Sequence, residues 1–467
     1  MNFKTIFKSL KNKDMCKRLL IVVGIIVAYR FLAYVPVPLG NTTTFKQAVD
    51  TLVNSTDLGG FINLISGGGL TNLSIILVGL SPFITASIVM QLLAKALPHL
   101  EEISKDGETG RRKINQWTRI ITVPLAIFQS IAYVYILSQQ VLAANTGAII
   151  SMTTNQWLLA VTAMTAGSVL LMWLGELITE QGIGNGISMI IFCSIISSFP
   201  KTVAKLGSQL FDTSNGSLSL FGWLNLPVNP TVFWIMLGMG VGLIVVLYLL
   251  VKLNEAQRII TINYAKRVHG NSAYGGIKSI MPIKLIAAGV VPVIFAVAFL
   301  SVPAFIGQLI QRADPTSVIA KNMVDWFSAP SSTSLSELTG SDFVYPILYF
   351  ILVVVFTYFY TSIIFNAEEI AENLQKQGGF IEGVRPGKRT EEYFKYTVNR
   401  LNFFGALALG LIAMLPYIVD YIFLCTLGYT VGLSISGTGL LIVVTVALEN
   451  LRQLNSRALM VTYDDYQ

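Results

Sequence analysis

The 467-residue chain is 53% hydrophobic and only 12% charged, with a net charge of +7 at pH 7. So little polar material cannot cover a soluble globule of this size, which excludes a water-soluble domain and places the chain in a membrane. Its basic excess then bears on orientation and on acidic partners rather than on fold.

Apolar runs long enough to cross a hydrocarbon core of about 30 Å predict ten spans, near 19–37, 73–97, 120–137, 157–177, 184–200, 232–251, 285–305, 344–365, 402–419 and 431–448. Ahead of them, residues 1–18 set Phe3, Ile6, Phe7 and Leu10 at helical spacing among Lys4, Lys8 and Lys11. That pattern suits a helix lying on anionic lipid headgroups, with a frayed basic tail as the alternative. The apolar run that follows is longer than a secretory-signal core and ends in "YVPVPLG" without a small-residue cleavage site, so it reads as span 1. Arg30 lies inside that span, either bonded to neighbouring carbonyls or functional.

Before span 2, Phe61 to Leu70 is apolar but too short to cross a bilayer, and Gly67, Gly68 and Gly69 let it bend. A short re-entrant segment filling a cavity accounts for it, as does an ordinary external loop helix. Leu80 and Ile84 are four apart, as are Ile187 and Ile191, so each pair forms one patch on a helix face. Such pairs equally well pack or face lipid. Pro82, Pro124, Pro292, Pro346 and Pro416 each fall in a span and predict kinks. The glycine cluster "GIGNGIS" from Gly182 follows no strand, so close packing or a helix start is expected there rather than a dinucleotide site.

Lys and Arg concentrate before span 1, in the 2–3, 6–7 and 8–9 connections and in the tail. The alternate loops hold only Lys46, Lys201, Lys205, Arg312 and Lys321, so both termini are expected in the cytoplasm. Two of the basic connections, 252–284 and 366–401, are long for a simple bundle and carry "NYAKRVHG" and "GVRPGKR". Cations on a tip stiffened by Pro386 suit an acidic protein partner or ribosomal RNA.

Sharper chemistry fails on spacing. Gly383 and Gly387 have three residues between them and Lys388 is followed by Arg389, which does not make a phosphate-binding loop. Cys16, Cys193 and Cys425 are far apart, and neither His99 nor His269 sits in a zinc motif. Ion-coupled solute transport is the rival reading, but it ordinarily needs ionisable groups at membrane depth, and only Arg30 lies well inside a span.

The stretches "GLSPFITASIVMQLL", "GETGRRKINQWTR", "LMWLGELITEQGIGNGISMIIF", "NYAKR", "AGVVPVIFA", "NAEEIAENLQKQGGFIEGVRPGKRT" and "GTGLLIVVTVALE" resemble the SecY/Sec61-alpha family of protein-translocation channels, and the likeness runs nearly end to end. It implies an all-α membrane protein, with ten transmembrane helices in two pseudo-symmetric inverted halves around a central pore. On this expectation the first half is 19–200, an external loop is 201–231, the second half is 232–448, and a cytoplasmic tail is 449–467. The family's ring of apolar side chains falls on Leu80, Ile84, Ile187, Ile191, Ile294 and Ile442. Its plug falls on Phe61, Ile62, Asn63, Leu64, Ile65, Ser66, Gly67, Gly68, Gly69, Leu70 and Thr71. Spans 2, 3, 7 and 8 match its lateral gate.

By the same resemblance, Lys266, Arg267, Arg385, Lys388 and Arg389 dock the ribosome, through ribosomal RNA among other contacts, or the SecA ATPase. SecE and SecG are implied as small membrane subunits, signal-bearing preproteins as the cargo, and lipid as the destination of hydrophobic segments. No cofactor and no catalytic motif are expected, and the location implied is the bacterial cytoplasmic membrane. Leu80 departs from the family's commoner isoleucine, and the 5–6 and 7–8 external loops match no motif. An accessory, substrate-dedicated form of the channel is the nearest alternative, with a small-solute transporter behind it.

Overall fold

The computed structural model describes residues 13–38, 66–144, 153–182, 184–211, 218–220, 224–226, 230–264, 267–269, 272–274, 278–286, 289, 291–313, 316–328, 340–427 and 433–464. Residues 1–12, the plug residues Phe61 to Ile65, and Lys266 lie outside the described residues.

A helix lies at each expected span: α1 Lys13–Leu32, α2 Ser81–Ala96, α4 Gly107–Ala144, α5 Thr154–Glu180, α6 Gly186–Leu210, α7 Pro230–Glu255, α8 Val291–Ala313, α10 Val344–Ile364, α12 Lys388–Leu427 and α13 Leu433–Asp464. Short helices α3 Pro98–Lys105, α9 Val318–Phe327 and α11 Ala367–Lys376 stand between them. By length and composition, six described helices can cross a membrane, or seven if α2 and α3, bent by 106° where they meet, count as one span. Several helices overrun their apolar runs: α4 and α12 begin, and α13 ends, well outside the expected core toward the basic-loop end, while α6 and α8 continue past their expected ends on the opposite side.

Three expected kinks are absent for one reason. Pro82 is the second residue of α2, Pro292 the second of α8 and Pro346 the third of α10. In the first turn a proline gives up an N–H that has no helical partner anyway, so it starts a helix instead of breaking one. Pro124 and Pro416 do lie inside α4 and α12. Span 2 also differs from expectation, since 66–80 is a run of turns and the helix begins only at Ser81.

In the first half, α4 packs on α2 and α5, and α6 packs on α5, while α1 leans on α5 and α6. In the second, α10 packs on α8 and α12, and α13 packs on α7 and α12. The halves meet along two seams, with α6 against α7 and α13 on one side and α8 against α2 and α4 on the other.

The two long basic connections are not separate protrusions. Strands β3 Gln257–Tyr264, β6 Lys278–Lys284 and β7 Gly379–Ile381 form one antiparallel sheet in the order β6-β3-β7. Ile260, Ile262, Ile283 and Ile381 on its inner face pack against Ala367 and Leu374 of α11 and Phe394 and Val398 of α12. Small pairs β1 Leu218–Leu220 with β2 Leu224–Leu226, and β4 Arg267–His269 with β5 Ser272–Tyr274, complete the described strands.

The glycine cluster from Gly182 does both things expected of it. Asn185 caps α6, its side-chain oxygen accepting from the Ile187 N–H at 3.1 Å, and the Gly186 N–H donates to Thr179 Oγ1 at 2.9 Å. A Cβ on Gly186 would lie 1.8 Å from the Gly175 carbonyl oxygen, so α5 and α6 touch backbone to backbone. Gly186→Ala must separate them, and thermal unfolding of the purified protein should show a loss near ~3 kcal/mol, the upper range for overpacking.

Candidate functional site

All six side chains expected in the apolar ring fall within one large hydrophobic cluster that draws on both halves. Leu80, Ile84, Ile191 and Ile442 are buried, and Ile187 and Ile294 are half-buried against the same cluster. They come from four elements: Leu80 and Ile84 at the start of α2, Ile187 and Ile191 on the first turns of α6, Ile294 at the start of α8, and Ile442 on α13. Two of these helices belong to each half. Ile187 also leans on α5, its Cγ1 being 3.2 Å from where a Gly175 Cβ would stand.

Of the expected plug, Ser66 to Thr71 is described and is a turn, not a helix. Gly67 and Gly68 have φ of +65° and +86°, values that a side chain disfavours. Leu70 and Leu73 seat this stretch in a second apolar cluster formed with Val134 and Leu137 of α4 and Ala160, Val161 and Met164 of α5. A Cβ on Gly167 of α5 would lie 2.1 Å from the Ile75 carbonyl oxygen, and Ser168 Oγ donates to the Gly79 carbonyl at 2.9 Å. The chain leaving α1 pairs with the same stretch: the Val37 N–H donates to the Leu73 carbonyl at 2.7 Å and the Ile75 N–H to the Val35 carbonyl at 3.0 Å.

Sequence reasoning left Arg30 open and missed Tyr29 beside it. Arg30 Nη1 donates to the Gly67 carbonyl at 2.8 Å, and its Cζ lies 6.0 and 5.7 Å from the ring centroids of Tyr29 and Tyr34. The Tyr29 hydroxyl is hydrogen-bonded to Ser194 Oγ of α6 and lies 3.4 Å from the Ser66 carbonyl. A tyrosine next to a span-embedded arginine was the signal available.

At the basic-loop end, Arg385 is exposed on the turn between β7 and α12, and Lys388 and Arg389 are exposed as the first two residues of α12. Gly383 and Gly387 take φ of +82° and +96°, and Thr390 Oγ1 donates to the Arg385 carbonyl at 2.9 Å, so the backbone under these cations is fixed. Arg267 is in β4, on the other loop, and nothing is described of its side chain. Arg452 of α13 donates to the Asn254 carbonyl at 2.8 Å and to Asn254 Oδ1 at 3.1 Å, tying the final helix to the last turn of α7, just ahead of β3. Burial, and then the Arg452 charge, pull the Lys284 ammonium below its ordinary value. Among the described residues no group of His, Cys, Asp and Glu is placed to hold a metal.

The family model for SecY matches residues 74–451. A protein translocase subunit SecY from Streptomyces coelicolor is 37% identical over 471 residues, covering 98% of each chain. Two solved structures share the fold. One is a SecY whose plug domain stabilises the closed channel and maintains a membrane seal (TM-score 0.56, 20% identity, 94% of this chain and 90% of that one). The other is Sec61 in a canine ribosome–channel complex from the endoplasmic reticulum (TM-score 0.58, 17% identity, 93% and 90%).

Proposed function

The chain belongs to the SecY family, and from that premise we propose that unfolded secretory proteins cross through a collar of Leu80, Ile84, Ile187, Ile191, Ile294 and Ile442. The protein is a multi-pass, protein-conducting channel and not an enzyme. One observation supports this placing of the collar: these six residues, drawn from two helices of each half, share a single apolar cluster. Branched apolar side chains bind no ion and offer water no hydrogen bond, so a narrow collar of them opposes leakage by dewetting. They also yield to a passing chain without sticky polar contacts.

The seam of α8 against α2 and α4 serves as the lateral exit, since on the opposite seam α6 packs against both α7 and α13. A hydrophobic signal helix entering between α2 and α8 shifts the population toward the open form by binding that form better. Residues 61–71 plug the closed pore. The basic-loop end faces the cytoplasm of a bacterial cell, with both termini, and the sheet with its Arg385 turn receives SecA or the ribosome, as the Sec61 relative is seated on one. SecE and SecG complete the assembly, and ATP hydrolysis belongs to SecA. The intact "GVRPGKR" turn supports the general channel over an accessory form.

An Ile191→Cys protein, assembled with SecE and SecA in membranes and given a stalled precursor carrying one cysteine, should form a disulfide whose position along the precursor moves as the precursor advances. A docked precursor that never links to Ile191→Cys or to its neighbours in the collar overturns the pore assignment.

A further inference from the structure

We infer that α9 is an interfacial helix whose Ile319 and Trp326 rest on outer-leaflet lipid beside the proposed exit seam, and that they contact its acyl and glycerol groups without regard to headgroup charge. The inference requires that α8 span the membrane, and it rests on the orientation proposed above only for which leaflet is meant.

Helix α9 is fixed to the outer end of that span. Ser317 caps it, its Oγ accepting from the Ala320 N–H at 3.5 Å, and Ala320 itself is fully buried. A Cβ on Gly307 of α8 would lie 2.9 Å from Met323 Cβ and 3.1 Å from Val324 Cγ2, so the missing side chain is what lets α9 close on α8. Phe327 reaches the large cluster shared by both halves. One face of α9, with Ala320, Met323, Val324 and Phe327, is therefore committed to protein.

The rest of its surface is divided. Ile319 and Trp326, about two turns apart, form one edge, while Lys321 and Asp325, about one turn apart, form the other. Ile319 is 72% exposed and Trp326 48%, and both charged residues are exposed as well. Covering the apolar edge would gain free energy that water does not supply.

Depth decides what covers it. Gly307, where α9 is seated, lies two residues past the expected end of the apolar run at 305 and four short of Gln311, where the apolar window of α8 ends. Those offsets amount to about 3 Å and about 6 Å along the helix. The exposed row of Phe299, Val302, Ile306 and Ile310 carries the apolar surface of α8 past the same point. So α9 stands where hydrocarbon gives way to headgroups, the level at which tryptophan collects. A helix with one apolar and one charged edge lies in that plane. The charges of Lys321 and Asp325 cancel, so α9, unlike the basic-loop end, has nothing to select anionic lipid. The first half has an inverted counterpart, α3 following α2 at the basic-loop end as α9 follows α8 at the other, so both helices of the exit seam run into short surface helices.

The test uses the full translocase in proteoliposomes, with Cys16, Cys193 and Cys425 replaced by serine and an environment-sensitive fluorophore on one new cysteine. A nitroxide on the upper acyl chain of zwitterionic lipid should quench the labels of Ile319→Cys and Trp326→Cys several-fold more than those of Lys321→Cys and Asp325→Cys, and aqueous iodide should show the reverse order. Replacing part of the lipid with an anionic one should leave both orders and their ratios unchanged. Equal iodide quenching at all four sites puts the edge in water, and shielding of 319 and 326 from both quenchers puts a protein on it; either overturns the inference, as does a ratio that follows the anionic fraction. If the serine-substituted channel does not assemble, Trp326→Phe in the native chain decides instead. The tryptophan emission it removes should be quenched by brominated acyl chains, and emission that only iodide quenches overturns the contact. Failure of the unlabelled parent to transport a precursor overturns the channel reading and leaves the lipid contact standing, so the two failures are distinct.

Discussion

Arg385→Glu should lower SecA-driven transport by about 30-fold while thermal unfolding stays at the parental temperature. Arg385 is exposed, and its carbonyl, not its side chain, is used by Thr390 to close the turn. The turn keeps its shape through Gly383, Pro386 and Gly387, none of which the substitution touches. What changes is a cation held out on a rigid support, where reversal replaces attraction for an acidic or phosphate-bearing partner with repulsion. Losing one partner of a docked charge pair costs at least ~2 kcal/mol, about 30-fold in affinity. ATP-driven uptake of a radiolabelled precursor into proteoliposomes measures it. Parental uptake at normal amounts of assembled complex removes Arg385 from the docking surface.

The second large effect belongs to the collar. Ile191→Asn combined with Ile442→Asn should raise the ion conductance of precursor-free channels by about 30-fold, whereas Ile191→Val with Ile442→Val should leave it near the parental value. Both isoleucines are buried in the large hydrophobic cluster. Two amides offering water a hydrogen bond of ~1 kcal/mol each favour a wet constriction over a dry one by about that factor. Polar groups in an apolar cluster also weaken folding, so conductance must be compared per assembled channel in planar bilayers. A double asparagine variant as tight as the parent puts the seal elsewhere.

Hydropathy made the spans legible because a run of about 20 apolar residues has few other uses. It lost their ends: the polar turns of α4, α12 and α13 that project past the apolar runs are helical without being hydrophobic. It also read 73–80 as helix, since nothing in an apolar run reports Gly79 with φ +64° or Leu73 with φ +49°. Leu73 keeps a conformation that L-residues avoid because its side chain is buried between α4 and α5.

The sheet was half visible. Apolar and polar residues alternate in "QRIITINY", but its pairing with Gly379–Ile381 joins segments more than a hundred residues apart. Apolar pairs four apart could not be told from lipid-facing ones, so the collar came from the family resemblance alone. Arg30 stood out as a charge inside a span, but its acceptor is a main-chain carbonyl, which no side-chain pattern can announce.

The strand β3 pairs with β6 from one connection and β7 from the other. A push on the Arg385 turn is therefore not absorbed by one compliant loop. It passes through shared main-chain bonds to the ends of α7, α8, α11 and α12 together, and α12 alone runs 40 residues, about 60 Å, from that turn. The sheet acts as a yoke, so torque applied outside the membrane turns the second half as one lever rather than bending it helix by helix.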